Sequence, residues 1–462
     1  MKGNGYVKNE SELVRGFFSS GLKTIFRSLQ YRNYRLFFGG QSISLIGTWM
    51  QRIALPWLVY DLTGSAFLLG LISFAGHIPT FLIAPFAGVI TDRFSKYRVL
   101  VISQVVSLIQ ALILAVMTLA GVIEIWHVVL LSLLLGSINA FDVPARHSFV
   151  VEMVEKKEDL GNAIALNSLM FNGARLIGPS VAGLLLVAAG EGICFLINSI
   201  SYIFVIVSLL MMKTKHEGEK RQTGSVIDDI RTGLDYAFRF APIKHLLLLL
   251  ALVSLLGSSY QVLMPVMASE ILRGGPNTYG FLMGSTGLGA LAGALFLASR
   301  KNAIMIGRII PAATALFGVA LVLLSFSRSV SISLLLMLLT GLGLMMHTAS
   351  SNTILQTITD DDKRGRVMSL YTMAIMGTAP FGSLIAGSLA KLIGTPVTIM
   401  AGGLSCIAGA IFFYMKLPDL KKAARPVYLK MGLVPQVVSG IQTASEPSVA
   451  QVSIGGIKTV EK

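Results

Sequence analysis

The stretch GVITDRFSKYRVL, residues 88–100, sets Asp92, Arg93, Lys96 and Arg98 almost side by side in a chain with very little charge for long distances around it. Apolar runs flank it, roughly 66–90 before and 98–120 after. Each is long enough to cross a bilayer, whose hydrocarbon is about 30 Å thick and takes about 20 helical residues to span. The charged stretch therefore reads as a short loop between two membrane-spanning helices.

The same pattern recurs about twelve times along the chain, over 36–60, 66–90, 98–120, 126–147, 163–189, 191–212, 244–268, 279–299, 303–325, 330–353, 367–390 and 396–417. Composition agrees: 54% of residues are hydrophobic, 13% are charged and the mean hydropathy is +0.73, too much apolar surface for a water-soluble globule to bury. The fold class expected is an all-α membrane protein whose solvent is the lipid bilayer. The net charge of +15 does not point to nucleic acid, because the Lys and Arg gather at the termini and in alternate loops. They lie in residues 1–35, after segment two (Arg93, Lys96, Arg98), in the link 213–243, after segment eight (Arg300, Lys301), after segment ten (Lys363, Arg364, Arg366) and in the C-terminal tail. The opposite loops hold little beyond Arg273, Arg328 and Lys391. The positive-inside rule then puts both termini in the cytoplasm of a multi-pass protein of the plasma or inner membrane.

The polar link 213–243 divides the spans six and six. The domains expected are a cytoplasmic arm 1–35, a first half 36–212, the linker 213–243, a second half 244–417 and a tail without regular structure, 418–462. In the linker, SVIDDIRTGLDYAFRF (225–240) sets Ile227, Ile230, Leu234 and Phe238 at helical spacing among Asp228, Arg231 and Arg239, as an amphipathic helix on the membrane surface does. The halves repeat. One constant shift superimposes Gly161, Gly173, Gly178 and Gly183 on Gly365, Gly377, Gly382 and Gly387, and a second superimposes Gly47, Gln51 and Gly70 on Gly257, Gln261 and Gly280. Both registers bring like-oriented segments together, which predicts parallel repeats about an axis along the membrane normal. The stripe Ala174, Gly178 and Ala182, mirrored by Thr378, Gly382 and Ala386, lets helix backbones approach closely.

Gly88, the Asp92–Arg93 pair and the following Lys96 and Arg98 resemble the signature between helices two and three of the major facilitator superfamily. The resemblance spans roughly residues 31–417. In YRNYRLFFGGQSISLIGTWMQRIALPWLVYDLTGSAFLLGL and DVPARHSFVVEMV it resembles the branch of enterobactin exporters and transmembrane secretion effectors. It implies that Asp92 and its basic neighbours latch the two halves on the cytoplasmic side, Asp92 meeting the N–H groups at the start of helix eleven, where a helix dipole favours negative charge. The corresponding ASRKNAIMIGR, residues 298–308, has no Asp, so the latch is expected to be asymmetric. Gly178, Pro179 and Gly183 in RLIGPSVAG resemble the helix-five motif of exporters and antiporters, although its second closing Gly is absent.

Charges inside the spans mark candidate sites, because an Arg near the bilayer centre is costly unless it faces a cavity or a partner. Arg175 lies about 18 Å into its helix. It either faces a cavity or serves carbonyls freed around Pro179. Arg52 either faces the cavity or snorkels to the outer surface. Gln51 and its mirror Gln261 are candidates for the cavity wall; Trp49, Trp57 and Tyr60 either meet substrate or anchor at the interface. His77 and His347 pack, hydrogen-bond or carry protons. Asp142 and Arg146 are spaced to pair directly, whereas the resemblance implies that Asp142 meets the basic loop after helix two. Cys194 and Cys406, both in apolar runs, form no disulfide framework or metal cluster. No GxxxxGK[ST], HExxH or GxSxG occurs, so neither an ATP-driven pump nor a hydrolase is indicated, and no cofactor is expected. The function expected is a monomeric secondary transporter exporting a small molecule of drug or siderophore type by alternating access. The resemblance implies coupling to protons. An importer or lipid-moving facilitator of the same fold is the alternative, with a membrane-embedded enzyme or a sensor behind it.

Overall fold

The computed structural model describes residues 26–93, 95–213, 226–299, 303–360 and 362–430. Ten helices among them are long and apolar enough to cross a bilayer. One of these, Lys157–Leu210, has 54 residues and leaves helical geometry at Gly190 (φ 77°), a backbone setting that glycine adopts without strain. There it folds into two limbs, α5 (157–189) and α6 (191–210). Before it come α1 (Arg32–Thr63), α2 (Ala66–Arg93), α3 (Lys96–Leu119) and α4 (Ile125–Glu152). The linker helix α7 is Val226–Arg239. After it come α8 (Ala241–Ile271), α9 (Pro276–Ala298), α10 (Ala303–Phe326), α11 (Val330–Ile358), α12 (Arg364–Ile393) and α13 (Thr395–Lys430). Helix α1, 32 residues long, falls outside the ten because Gln41, Ser44, Gln51 and other polar residues dilute it. With α1 counted and Lys157–Leu210 read as two limbs, the described helices are consistent with twelve passes.

Helix packing follows the division of the chain. Helix α1 lies along α5 and α6, α2 along α4, and α3 along α4 and the α5–α6 pair; among the later helices α9 and α10 pack on α11, and α10 packs on α13. Contact between the two sets runs mainly through α5 with α9 and α2 with α12. Both seams depend on glycine. A Cβ placed on Gly183 would stand 2.9 Å from the Gly280 Cα, and one on Gly280 would stand 2.6 Å from the Gly183 Cα. At the other seam a Cβ on Gly70 would stand 3.0 Å from the Gly387 Cα, and one on Gly387 2.9 Å from that of Gly70. These are the glycines that the two sequence registers superimpose: Gly70 on Gly280 and Gly183 on Gly387. The internal repeat therefore pairs with itself, each half giving one partner to each seam.

Two boundaries differ from the sequence expectation. Helix α1 already begins at Arg32, and a 3-10 turn, Arg27–Gln30, precedes it within the predicted arm. Asp159, at the start of α5, holds that turn in place: it ion-pairs with Arg27 and accepts hydrogen bonds from Gln30 Nε2 (3.0 Å) and the Tyr31 hydroxyl (2.6 Å). The last helix does not end at 417. Helix α13 continues to Lys430, because Leu417, Leu420, Ala424 and Tyr428, three and four residues apart, bury one apolar stripe. Charges and two prolines hide that stripe from a hydropathy reading; the rest of the predicted tail, 431–462, lies outside the described residues.

The linker helix forms where predicted. Gly233 and Ala237 are buried, and the Tyr236 hydroxyl donates to Asp360 Oδ2 (3.1 Å) just before α12, whereas Leu234 and Phe238 stay exposed. One face is thus docked on the second set of helices and the other is left apolar, as at a membrane surface.

Candidate functional site

Trp49 on α1 organises the centre of the bundle. Gly178 on α5 packs directly against its Cβ, a closeness that no larger residue would permit, and this brings the indole to the polar side of α5. The guanidinium of Arg52 lies 4.8 Å from the ring centroid and that of Arg175 lies 5.9 Å from it. Both distances fall within the roughly 6 Å range of cation–π attraction. Phe171 closes the ring's edge at 5.7 Å in a T-shaped contact. Counting back from the far ends of their helices, Arg52 is about 16 Å and Arg175 about 21 Å deep at 1.5 Å per residue. Both lie well inside their helices rather than at an end.

Neither arginine is sealed in. Arg52 is exposed and Arg175 half-buried although both sit inside the bundle, so they face a cavity. Ser168 and Asn172 lie on the Arg175 face of α5, one to two turns toward the linker side. The ion pairs among the described residues are Arg27–Asp159, Lys96–Glu152, Arg146–Asp142 and Lys363–Asp362; none involves Arg52 or Arg175. Pro179 frees the carbonyl of Arg175 by removing its α-helical donor. The backbone of α9 covers it, since a Cβ on Gly287 would stand 2.9 Å from that oxygen.

Above this centre, away from the linker, the bundle is closed. Trp57 stacks on Tyr279 (6.1 Å, 22°), and the Tyr60 hydroxyl donates to Glu270 (2.9 Å). The Ser73 and Ser383 hydroxyls are 3.0 Å apart, and Phe74 and Phe81 both pack edge-on against Phe381 at 5.9 Å. Along α5 the seam reaches Arg175 and Leu176 opposite Gly287, and along α2 it reaches Phe81 opposite Gly377. Among the described residues these contacts run from the far ends of the helices to their middles.

The other candidates take separate places. Gln51 does not line the cavity: it is 3% exposed, donates to Gln110 (3.2 Å) and accepts from Asn198 (2.6 Å), tying α1 to α3 and α6. A buried amide is costly unless paired, and these partners satisfy it. Its mirror Gln261 is half-buried in a 3-10 segment, Ser258–Leu263, that breaks α8. Among the described side chains Asp142 pairs with Arg146 one turn on and accepts from Gln104 Nε2 (2.7 Å), and not from Lys96 or Arg98. Lys96 instead meets Glu152 at the end of α4 (2.5 Å), and Arg98 is exposed. Gly88, Asp92 and Arg93 fall in the last turns of α2, but their side chains lie outside the described residues. Gly178 and Gly183 of the helix-five motif reach α1 and α9 respectively, and Pro179 is buried between them. His77 Nδ1 is 2.7 Å from the Ser73 carbonyl, and His347 is buried with Nδ1 2.8 Å from the Thr314 hydroxyl. Sequence reading missed the far-side pairs and the break in α8. Gly257, the two serines after it and Pro265 were the available signal for the break.

A family model described as transmembrane secretion effector matches residues 23–446. The staphyloferrin A transporter of Staphylococcus aureus (strain NCTC 8325 / PS 47) is 26% identical over 388 residues, covering 84% of this chain and 97% of its own. The multidrug efflux pump Tap of Mycolicibacterium fortuitum is 24% identical over 392 residues, 82% of this chain and 95% of its own. Among solved structures, that of a nucleoside transporter superposes with a TM-score of 0.63 at 14% identity, covering 85% of this chain and 99% of that one.

Proposed function

Since the chain belongs to the transmembrane secretion effector family of the major facilitator superfamily, we propose that it exports a small molecule across the plasma membrane by alternating access, driven by protons. The observation that carries this reading is the pair of repeat-related seams closing one side of the bundle above a polar centre. Two halves joined through glycine contacts on one side can rock about a central site and expose it to either face in turn. The linker side carries Lys96, Arg98, Lys363, Arg364, Arg366, Lys421, Lys422 and Arg425, so the positive-inside rule makes it cytoplasmic, with both termini there. The conformation described is then the one open to the cytoplasm, and the protein works as a monomer.

In the opposite conformation the end of α2 would close on the start of α12, with Gly88, Asp92, Arg93, Lys96 and Arg98 as the latch. The Asp142–Arg146 and Lys96–Glu152 pairs lie within the first half, so they travel with it as a rigid support. Export is favoured over import by the relative named as an efflux pump.

The test is accumulation of a panel of dyes, antibiotics and catechol siderophores in cells with and without the protein, before and after collapse of the proton gradient. The expected result is lower accumulation of at least one compound, abolished by collapse. Export that survives collapse removes the proton coupling; raised accumulation reverses the direction.

A further inference from the structure

Two guanidinium groups share one indole at the centre of the membrane, and no carboxylate among the described residues stands within ion-pair distance of either. Charges inside membrane spans usually have partners, and Arg146, nearer the linker-side end of α4, is paired with Asp142. Here Arg52 is exposed and Arg175 half-buried, on the linker side of the far-side contacts. Trp49 fixes both: an arginine stacked on an aromatic face loses less freedom when its N–H groups engage a ligand, and its planar fork matches the two oxygens of a carboxylate or phosphate. Phe171 and the close contact of Gly178 in turn fix Trp49. Ser168 and Asn172 add uncharged polar groups on the approach from the linker side.

We propose that Arg52 and Arg175, held on Trp49, bind the transported molecule by its negative charge, and that the substrates are small, soluble organic anions bearing a carboxylate or phosphate. A cation in this cavity meets two like charges in a medium that screens them poorly, so the same geometry excludes organic cations. The inference rests on the transporter reading for calling the bound molecule a substrate, but the binding itself is testable without transport.

The measurement is calorimetric binding to the purified full chain in phosphatidylcholine nanodiscs, using four probes on one ring system: naphthoate, naphthyl phosphate, naphthylmethylammonium and naphthamide. The two anions are expected to bind at least tenfold more tightly than the ammonium or the amide. Arg52→Gln and Arg175→Gln should each weaken anion binding at least tenfold, whereas Lys391→Gln, whose ammonium lies over Phe67 outside the cavity, should leave it unchanged. Equal affinity for all four probes, or anion binding that survives the double Arg→Gln change, overturns the proposal. Should the arginine variants fail to fold, the order of the four affinities in the unmodified protein still decides it. Displacement of the anions by added phosphatidylglycerol would assign the site to a lipid headgroup and overturn the soluble-substrate claim; unchanged affinity supports it. Anion binding without export would sink the efflux reading and leave this one standing, and export of cations alone would do the reverse.

Discussion

Asp142 shows what a charge costs inside this bundle. It is 2% exposed, and its two oxygens are taken by Arg146 and Gln104, while Arg146 keeps its Nε buried without a partner. Removing the acid leaves that half-buried guanidinium uncompensated, which costs up to about 3 to 5 kcal/mol, whereas replacing both members by apolar residues of similar volume is about neutral. Asp142→Ala should therefore lower the midpoint of thermal unfolding in detergent sharply, and Asp142→Leu combined with Arg146→Met should recover most of the loss. Equal destabilisation by the single and double changes would contradict the pairing. The four-residue spacing made this pair legible in the sequence, because helical geometry alone brings such residues together. Gln104 was not legible, since its approach depends on how α3 packs against α4. Gln51 misled for the same reason: a polar residue on a membrane helix announces a partner without saying whether that partner is a neighbouring helix or a ligand.

At the scale of helices, the sequence repeat reported which glycines correspond, and the structure adds that the two corresponding pairs meet crosswise, Gly183 against Gly280 and Gly70 against Gly387. The registers could be read because close backbone approach tolerates no side chain. The pairing of α5 with α9 and α2 with α12 could not, because it is tertiary. The seams also make a prediction about balance. A methyl group on Gly183 cannot fit while the Gly280 Cα is 2.9 Å from its Cβ position, and overpacking of this kind costs about 1 to 3 kcal/mol. That penalty falls on the conformation with the far side closed and spares one in which the seam has parted. Gly183→Ala should thus move the ratio of the two conformations roughly 5- to 150-fold toward far-side opening. A spin-label distance across the far ends of α5 and α9 should lengthen while the melting temperature changes little. An unchanged distance distribution would show that the seam adapts locally.

Across the whole molecule, length and hydropathy were enough to indicate an all-helical, multi-pass protein, because the bilayer forces backbone hydrogen bonds to close within each helix. Hydropathy was least informative where helices are polar for a reason: α1 with its buried amides, and the last turns of α13 with their single buried stripe. It also said nothing about which way the bundle opens, a property of contacts between halves. On the proposed mechanism the far-side seams are a gate that must part for the central cavity to face outward. Ser73→Cys with Ser383→Cys tests it directly, since the native hydroxyls are 3.0 Å apart and the native Cys194 and Cys406 are buried away from reagent. Into this background goes a reporter, Ser168→Cys, on the Arg175 face of α5. A membrane-impermeant maleimide is then applied to intact cells and to inverted vesicles, before and after the seam is oxidised. With the disulfide formed, the reporter is predicted to label only in inverted vesicles, from the linker side, and reduction should restore labelling from both sides. Labelling from the outside of intact cells with the seam fully cross-linked would contradict the account.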